Sequence, residues 1–116
     1  ALKQKIEGAD GIIISTPEYN RSISGVLKNA IDWASRPWGK NSFENKKVLV
    51  MGASSGPIGT ALAQYDLKKI MLYLGAFVVP VEVYVNTVGS KFVDGKLADE
   101  NTKNHLKEAV DRLLNL

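Results

Sequence analysis

The sequence predicts an α/β fold built on a parallel sheet with helices on both faces. Three observations carry that expectation. Short apolar runs rich in Ile, Val and Leu alternate with longer stretches of helical periodicity, strand before helix three times over. Each of the first two strands stops at a turn-forming stretch, Thr16-Pro-Glu-Tyr-Asn20 and Gly52-Ala-Ser-Ser-Gly-Pro-Ile-Gly59, placed between strand and helix. The 116 residues are enough for one domain, and three strands joined by helices fit a parallel sheet with right-handed crossovers.

Ala1 to Glu7 reads as the last turns of a helix with Leu2 and Ile6 on one side, and Gly8 ends it. Gly11 to Ser15 is an isoleucine-rich run that suits a strand covered on both faces. Pro17 has no N–H and fixes its own φ, so the ladder stops there, and Thr16 before it is held extended. Glu18, Tyr19 and Asn20 then lie just past the carboxyl end of a parallel strand, where open α/β sheets bind ligands. Ser24 caps a helix whose apolar stripe is Val26, Leu27, Ala30, Ile31 and Ala34, bordered by Trp33 in packing or in a subunit contact. Pro37 and Gly39 mark a loop, and its Trp38 packs against the body or covers the site.

Lys47 to Met51 is the second buried strand. The helix from about Thr60 to Leu74 is apolar almost all round, which predicts burial on a second side against another subunit. Gly75 ends it. Ala76 to Val85 is a third strand carrying Glu82, and Pro80 inside it argues for a sheet edge or a bulge. Val93-Asp-Gly-Lys96 is a tight-turn signal in an otherwise irregular stretch, and Asp99 caps a last helix with Leu106, Ala109, Val110, Leu113 and Leu114 on one face. A chain that opens on the tail of a crossover helix, with only three strands, reads as the later portion of a larger sheet.

Composition narrows the function classes. The absence of cysteine excludes disulfides, thiolate metal sites and thiol catalysis, and fits a cytoplasmic protein. A net charge of +3, with Lys and Arg dispersed among acids, gives little support to nucleic-acid binding. No apolar run reaches the roughly 20 residues that a membrane helix needs, and no metal-ligand cluster stands out. Two turns at the ends of adjacent strands would instead make a shelf of main-chain N–H and C=O groups with few charges. A flat heterocycle suits it, its faces buried and its polar edge paired with main chain.

Thr16-Pro-Glu-Tyr-Asn20, followed by Ser22-Ile-Ser-Gly-Val-Leu-Lys-Asn-Ala-Ile-Asp-Trp33, resembles the signature of the NADPH-dependent FMN reductase family, which includes quinone, chromate and azo-dye reductases. Gly52-Ala-Ser-Ser-Gly56 with Ala63-Gln-Tyr65 is similar to that family's second flavin loop and the helix behind it, and the likeness runs from about Ala9 to Glu82. The resemblance implies a flavodoxin-like fold, a homodimer or dimer of dimers, and FMN reduced by NADPH or NADH before a small-molecule acceptor is reduced in turn. It implies a ring site made by Pro17, Glu18, Tyr19 and Asn20 together with Ser54, Ser55 and Gly56, largely through main chain, with no catalytic side chain required. Arg21 stands either near a nicotinamide phosphate or in solvent. The family's phosphate loop, a Gly-Ser-x-Arg stretch after the first strand, has no counterpart in these residues. The expectation is therefore the ring half of an FMN site, with affinity lowered accordingly. Some relatives carry arginine where Leu62 stands, beside Tyr65 and Glu82 in a subunit contact, so that link would differ here.

Two other readings compete. Gly52-Ala-Ser-Ser-Gly56 also fits G-x-S-x-G, a hydrolase nucleophile elbow with Ser54 as nucleophile, Glu82 or Asp94 as acid and His105 as base. His105, however, falls within a helical pattern, whereas a triad histidine needs a loop beside the elbow. The other is a flavin-free fragment that only dimerises through the Thr60 to Leu74 helix.

Overall fold

The computed structural model describes residues 1–116. Its centre is strand β2 (Lys47–Ala53), which pairs in parallel with β1 (Ile12–Ser15) on one side, Ile12 opposite Val48 and Ser15 opposite Met51. On its other side β2 pairs in parallel first with β3 (Phe77–Val78) and then with β4 (Tyr84–Val85). Four helices complete the fold: α1 (Leu2–Gly8), α2 (Gly25–Ala34), α3 (Ala61–Tyr73) and α4 (Glu100–Leu114).

Alternation along β2 explains the layering. Val48 and Val50 point to one face, where Ile6 of α1, Ile31 and Ala34 of α2, and Leu67 and Met71 of α3 close over them with Phe43 and Ala76. Leu49 points to the other face and meets Val79, Val83 and Val85 beneath Ala109 and Leu113 of α4. A central strand buried on both faces has to be apolar without a break, and Val48-Leu49-Val50 are fully buried.

The third expected strand is divided at Pro80, as its lack of an N–H requires. Val48 faces Val78 and Gly52 faces Tyr84, so six residues of this strand span what four span on β2. The surplus is taken up where the Val81 N–H donates to the Val79 carbonyl at 2.8 Å, a one-residue turn around Pro80. The Val93 to Lys96 turn is a two-residue hairpin between β5 (Phe92–Val93) and β6 (Lys96–Leu97), with positive φ at Asp94 and Gly95. These two strands were not foreseen, because each is only two residues long. The caps expected at Ser24 and Asp99 are both made, with Ser24 Oγ accepting from the Leu27 N–H at 3.1 Å and Asp99 Oδ2 from the Thr102 N–H at 3.0 Å.

One expectation is corrected. β1 is covered on one face only: Ile12 and Ile14 join the core, whereas Ile13 is 49% exposed. The cause is geometric, since α4 lies across β2 and reaches β1 only where Leu113 packs against Gly11. Within this chain α3 buries a single stripe, Ala63, Gln64, Leu67 and Met71, and leaves Leu62, Tyr65, Leu72 and Tyr73 exposed. No helix is long and apolar enough to cross a membrane.

Candidate functional site

Both turns leave the same edge of the sheet. The Thr16 N–H donates to the Met51 carbonyl at 2.9 Å as the last rung of the β1–β2 ladder, and Pro17 ends the pairing. The chain then folds back on itself. Tyr19 and Ser22 exchange N–H to carbonyl bonds of 2.9 and 3.0 Å around Asn20 (φ 52°) and Arg21 (φ 69°). Two successive left-handed residues are the signature of a type I′ turn, and for arginine this conformation is costly. Tyr19 stands exposed at its start.

The second turn begins at Gly52, where a Cβ would lie 2.6 Å from the Thr16 carbonyl oxygen and 2.0 Å from Thr60 Oγ1. Only glycine lets the first turn's main chain and Thr60 come this close. Beyond it the carbonyl groups are turned inward. Ser54 accepts from the Val88 N–H at 3.0 Å, Gly56 from the Thr87 N–H at 2.9 Å, and Pro57 from Asn86 Nδ2 at 3.1 Å. The Ser54 N–H is held by the Val85 carbonyl at 2.9 Å. The N–H groups of Ser55, Gly56 and Ile58 have no acceptor in the protein, nor do those of Glu18 and Asn20 in the first turn. Gly59 and Thr60 return the chain to α3 through φ of 62° and 64°.

Of the seven expected site residues, Pro17, Glu18, Tyr19 and Asn20 thus follow β1, and Ser54, Ser55 and Gly56 follow β2, at the carboxyl ends of two adjacent parallel strands. Their arrangement offers unpaired amide donors and, at Gly56, open space where a side chain would otherwise stand. A ligand carrying acceptors around a flat rim fits that donor set. The Glu18 side chain is committed elsewhere: Oε1 accepts from the Ala63 N–H at 2.9 Å and serves as the cap of α3, whose own N-cap residue Thr60 makes no side-chain cap bond. Glu18 is left with its main chain and Oε2 to offer a ligand.

The hydrolase reading fails on geometry. Ser54 Oγ donates to the Gly56 carbonyl at 3.4 Å, while Nε2 of His105, inside α4, contacts the main-chain oxygen of Glu82. Asp94 sits in the β5–β6 turn, so neither the base nor that acid meets the serine.

Tyr65 and Glu82 are joined within the chain, and Tyr84 joins them, which sequence reasoning missed. The Tyr65 and Tyr84 hydroxyls donate to Glu82 Oε2 at 3.2 and 2.9 Å, and the two rings meet edge to face. Burial, and then the neighbouring Tyr65 hydroxyl and Glu82 carboxylate, hold the Tyr84 phenol well above its usual value. Burial draws the Lys68 ammonium below the lysine value, opposed by the Glu82 charge.

Fold and geometry define a class: a flavodoxin-like α/β domain with two turns of unpaired main-chain amides at the carboxyl ends of adjacent parallel strands. Residues 1–89 match the NADPH-dependent FMN reductase family, and the chain belongs to it. It is 44% identical over 114 residues to a 2-hydroxy-1,4-benzoquinone reductase of a Burkholderia species, covering 97% of this chain and 62% of that protein. It is 38% identical to an NAD(P)H-dependent FMN reductase of Pseudomonas aeruginosa, covering 97% and 61%. Among solved structures it is similar to FerB, a flavoenzyme NAD(P)H:(acceptor) oxidoreductase of Paracoccus denitrificans. That match has a TM-score of 0.86 and 43% identity, over 98% of this chain and 64% of that one. The chain spans about three fifths of the length of the curated relatives it matches.

Proposed function

We propose that this chain carries the ring-binding part of an FMN-dependent NAD(P)H oxidoreductase whose acceptor is a quinone or a similar small oxidant. The observation that supports this most directly is the pair of turns with unpaired amides on one edge. Pro17, Glu18, Tyr19 and Asn20 would border the ring on one side, and Ser54, Ser55 and Gly56 on the other. When bound, FMN supplies the chemistry itself, taking a hydride from nicotinamide and passing electrons to the acceptor. The chain orients and stabilises. Its amide donors favour negative charge at the ring's polar rim. No side chain is needed as acid, base or nucleophile. The names of the relatives support a quinone as acceptor, with free flavin, azo dyes and metal oxyanions of the same redox type as further candidates. The same reading includes a homodimer, or a dimer of dimers, using the exposed stripe of α3, and a cytoplasmic setting.

The test is flavin binding followed by fluorescence quenching, using both FMN and lumiflavin, which lacks the ribityl phosphate. The expected result is comparable binding of the two, since the contacts proposed here are to the ring. Gly56→Val should abolish it without lowering the unfolding temperature, because that position is open to solvent. Absence of binding, or binding indifferent to Gly56→Val, sinks the proposal. NADPH oxidation with benzoquinone, added FMN and this chain then reads the reaction.

A further inference from the structure

Gln64 is a polar side chain with no solvent exposure, set in the first turn of α3 between the two halves of the shelf. Its Nε2 donates to Thr60 Oγ1 at 2.9 Å, to the Val83 carbonyl at 2.9 Å and, more weakly, to the Gly59 carbonyl at 3.4 Å. No protein group donates to its Oε1. A buried amide with one end unsatisfied calls for an explanation. The groups it holds are informative. Gly59 and Thr60 are the left-handed exit of the second turn, and Val83 precedes the β4 residues whose main chain anchors Ser54. Thr60 Oγ1 in turn lies against Gly52, which touches the Thr16 carbonyl. One residue earlier, the Ala63 N–H is taken by Glu18 from the first turn.

We infer that Gln64 is a positioning residue for the ring shelf. Its amide fixes the second turn to β4, and the same helical turn, through Ala63, fixes the first turn to it. The inference rests on the reading of this edge as a flavin-ring site. It assigns Gln64 no contact with the ring. The Val83 carbonyl also accepts from the Gly52 N–H at 3.3 Å, so removing the Gln64 amide leaves that oxygen paired. Loss of the amide therefore loosens the spacing between the turns while the core around Leu67 and Met71 stays intact.

The experiment compares Gln64→Met, of similar length but without hydrogen bonds, with Thr60→Val and Thr60→Ser, which remove and keep its hydroxyl partner. Lumiflavin affinity, unfolding temperature and amide hydrogen exchange are read on each. We expect Gln64→Met and Thr60→Val to weaken lumiflavin binding about tenfold, the scale of one hydrogen bond, and Thr60→Ser to restore it. Exchange at the Ser54, Ala63 and Thr87 amides should quicken, with exchange at Met71 unchanged. An unfolding temperature that falls while the folded protein keeps full affinity, with exchange faster throughout α3, would reduce Gln64 to core packing and overturn the inference. If Gln64→Met does not fold, the Thr60 pair decides, and equal affinity of Val and Ser overturns it. If the unsubstituted chain binds neither lumiflavin nor FMN, the ring reading fails by itself. The three amides then still report whether Gln64 holds the turns, and unchanged exchange at them refutes that.

Discussion

The two ends of β2 are built from different materials. At the carboxyl end, beyond Ala53, the turns are tied by main chain, their carbonyls turned inward and the Ser55, Gly56 and Ile58 amides left free. At the amino end, before Lys47, a furrow of about 350 Å³ opens between Arg36, Trp38, Asn41, Tyr73 and Gly75. That furrow is a side-chain construction. The Arg36 guanidinium lies 5.9 Å from the Trp38 ring, Asn41 Nδ2 donates to the Leu74 carbonyl at 2.5 Å, and Trp38 and Tyr73 are exposed. The indentation and the unpaired amides therefore lie at opposite ends of the strand. What distinguishes the carboxyl end is that its amides cannot turn away, because glycine geometry and interlocked carbonyls leave the main chain no alternative. Preorganised dipoles need that rigidity more than they need volume.

Substituting glycine at each end tests this contrast most severely. Gly52→Ala would place a methyl 2.0 Å from Thr60 Oγ1 and 2.6 Å from a main-chain oxygen. It should cost about 3 kcal/mol or more, measured as the urea midpoint. Gly39→Ala meets only its own positive φ of 84° in open space, and should cost about 1 kcal/mol. Equal losses would break the comparison. Next comes the tie between the two turns. Glu18→Ala removes the cap on Ala63 and should lower stability by about 1 kcal/mol while weakening flavin binding. Trp38→Ala, at the other end, should stay within about 0.5 kcal/mol and leave binding alone.

The smallest effect separates a cap supplied from afar from one supplied locally. Asp99 caps α4 from the adjacent residue, and hydrogen bonds from the Thr102 hydroxyl and then the Thr102 N–H hold its carboxyl below the usual aspartate value. A depressed value means that the cap's stability is present above the unfolded pKa and is lost as pH falls through the folded one. The urea midpoint of the protein should therefore exceed that of Asp99→Ala at neutral pH, and the difference should begin to shrink near the usual aspartate value of about 3.9 and vanish only below the depressed folded one. A difference that does not shrink in acid would contradict this assignment of the cap.

Legibility in the sequence followed the range of the interaction. Pro17, the caps at Ser24 and Asp99, and the Asp94-Gly95 turn act on neighbouring residues, so their types and spacing announce them. The division of the third strand at Pro80 was half visible: proline forbids the ladder, but the number of surplus residues depends on where β2 takes the pairing up again. The side-chain bond of Glu18 was not visible, because its partner is 45 residues away and glutamate beside a ligand turn looks the same with either partner. Gln64 and Tyr84 were hidden for the same reason, as was the exposure of Ile13.

The alternation of β1, α2, β2 and α3, the last helix and the two sharp departures from the sheet were determined by the sequence alone, since φ restriction, capping and apolar periodicity are properties of short segments. Which carboxylate closes α3, which amide holds the second turn and which face of β1 stays bare were decided only when the elements packed. Hydrogen-bond partners and burial are set by what arrives from distant parts of the chain, and a one-dimensional pattern does not specify those arrivals.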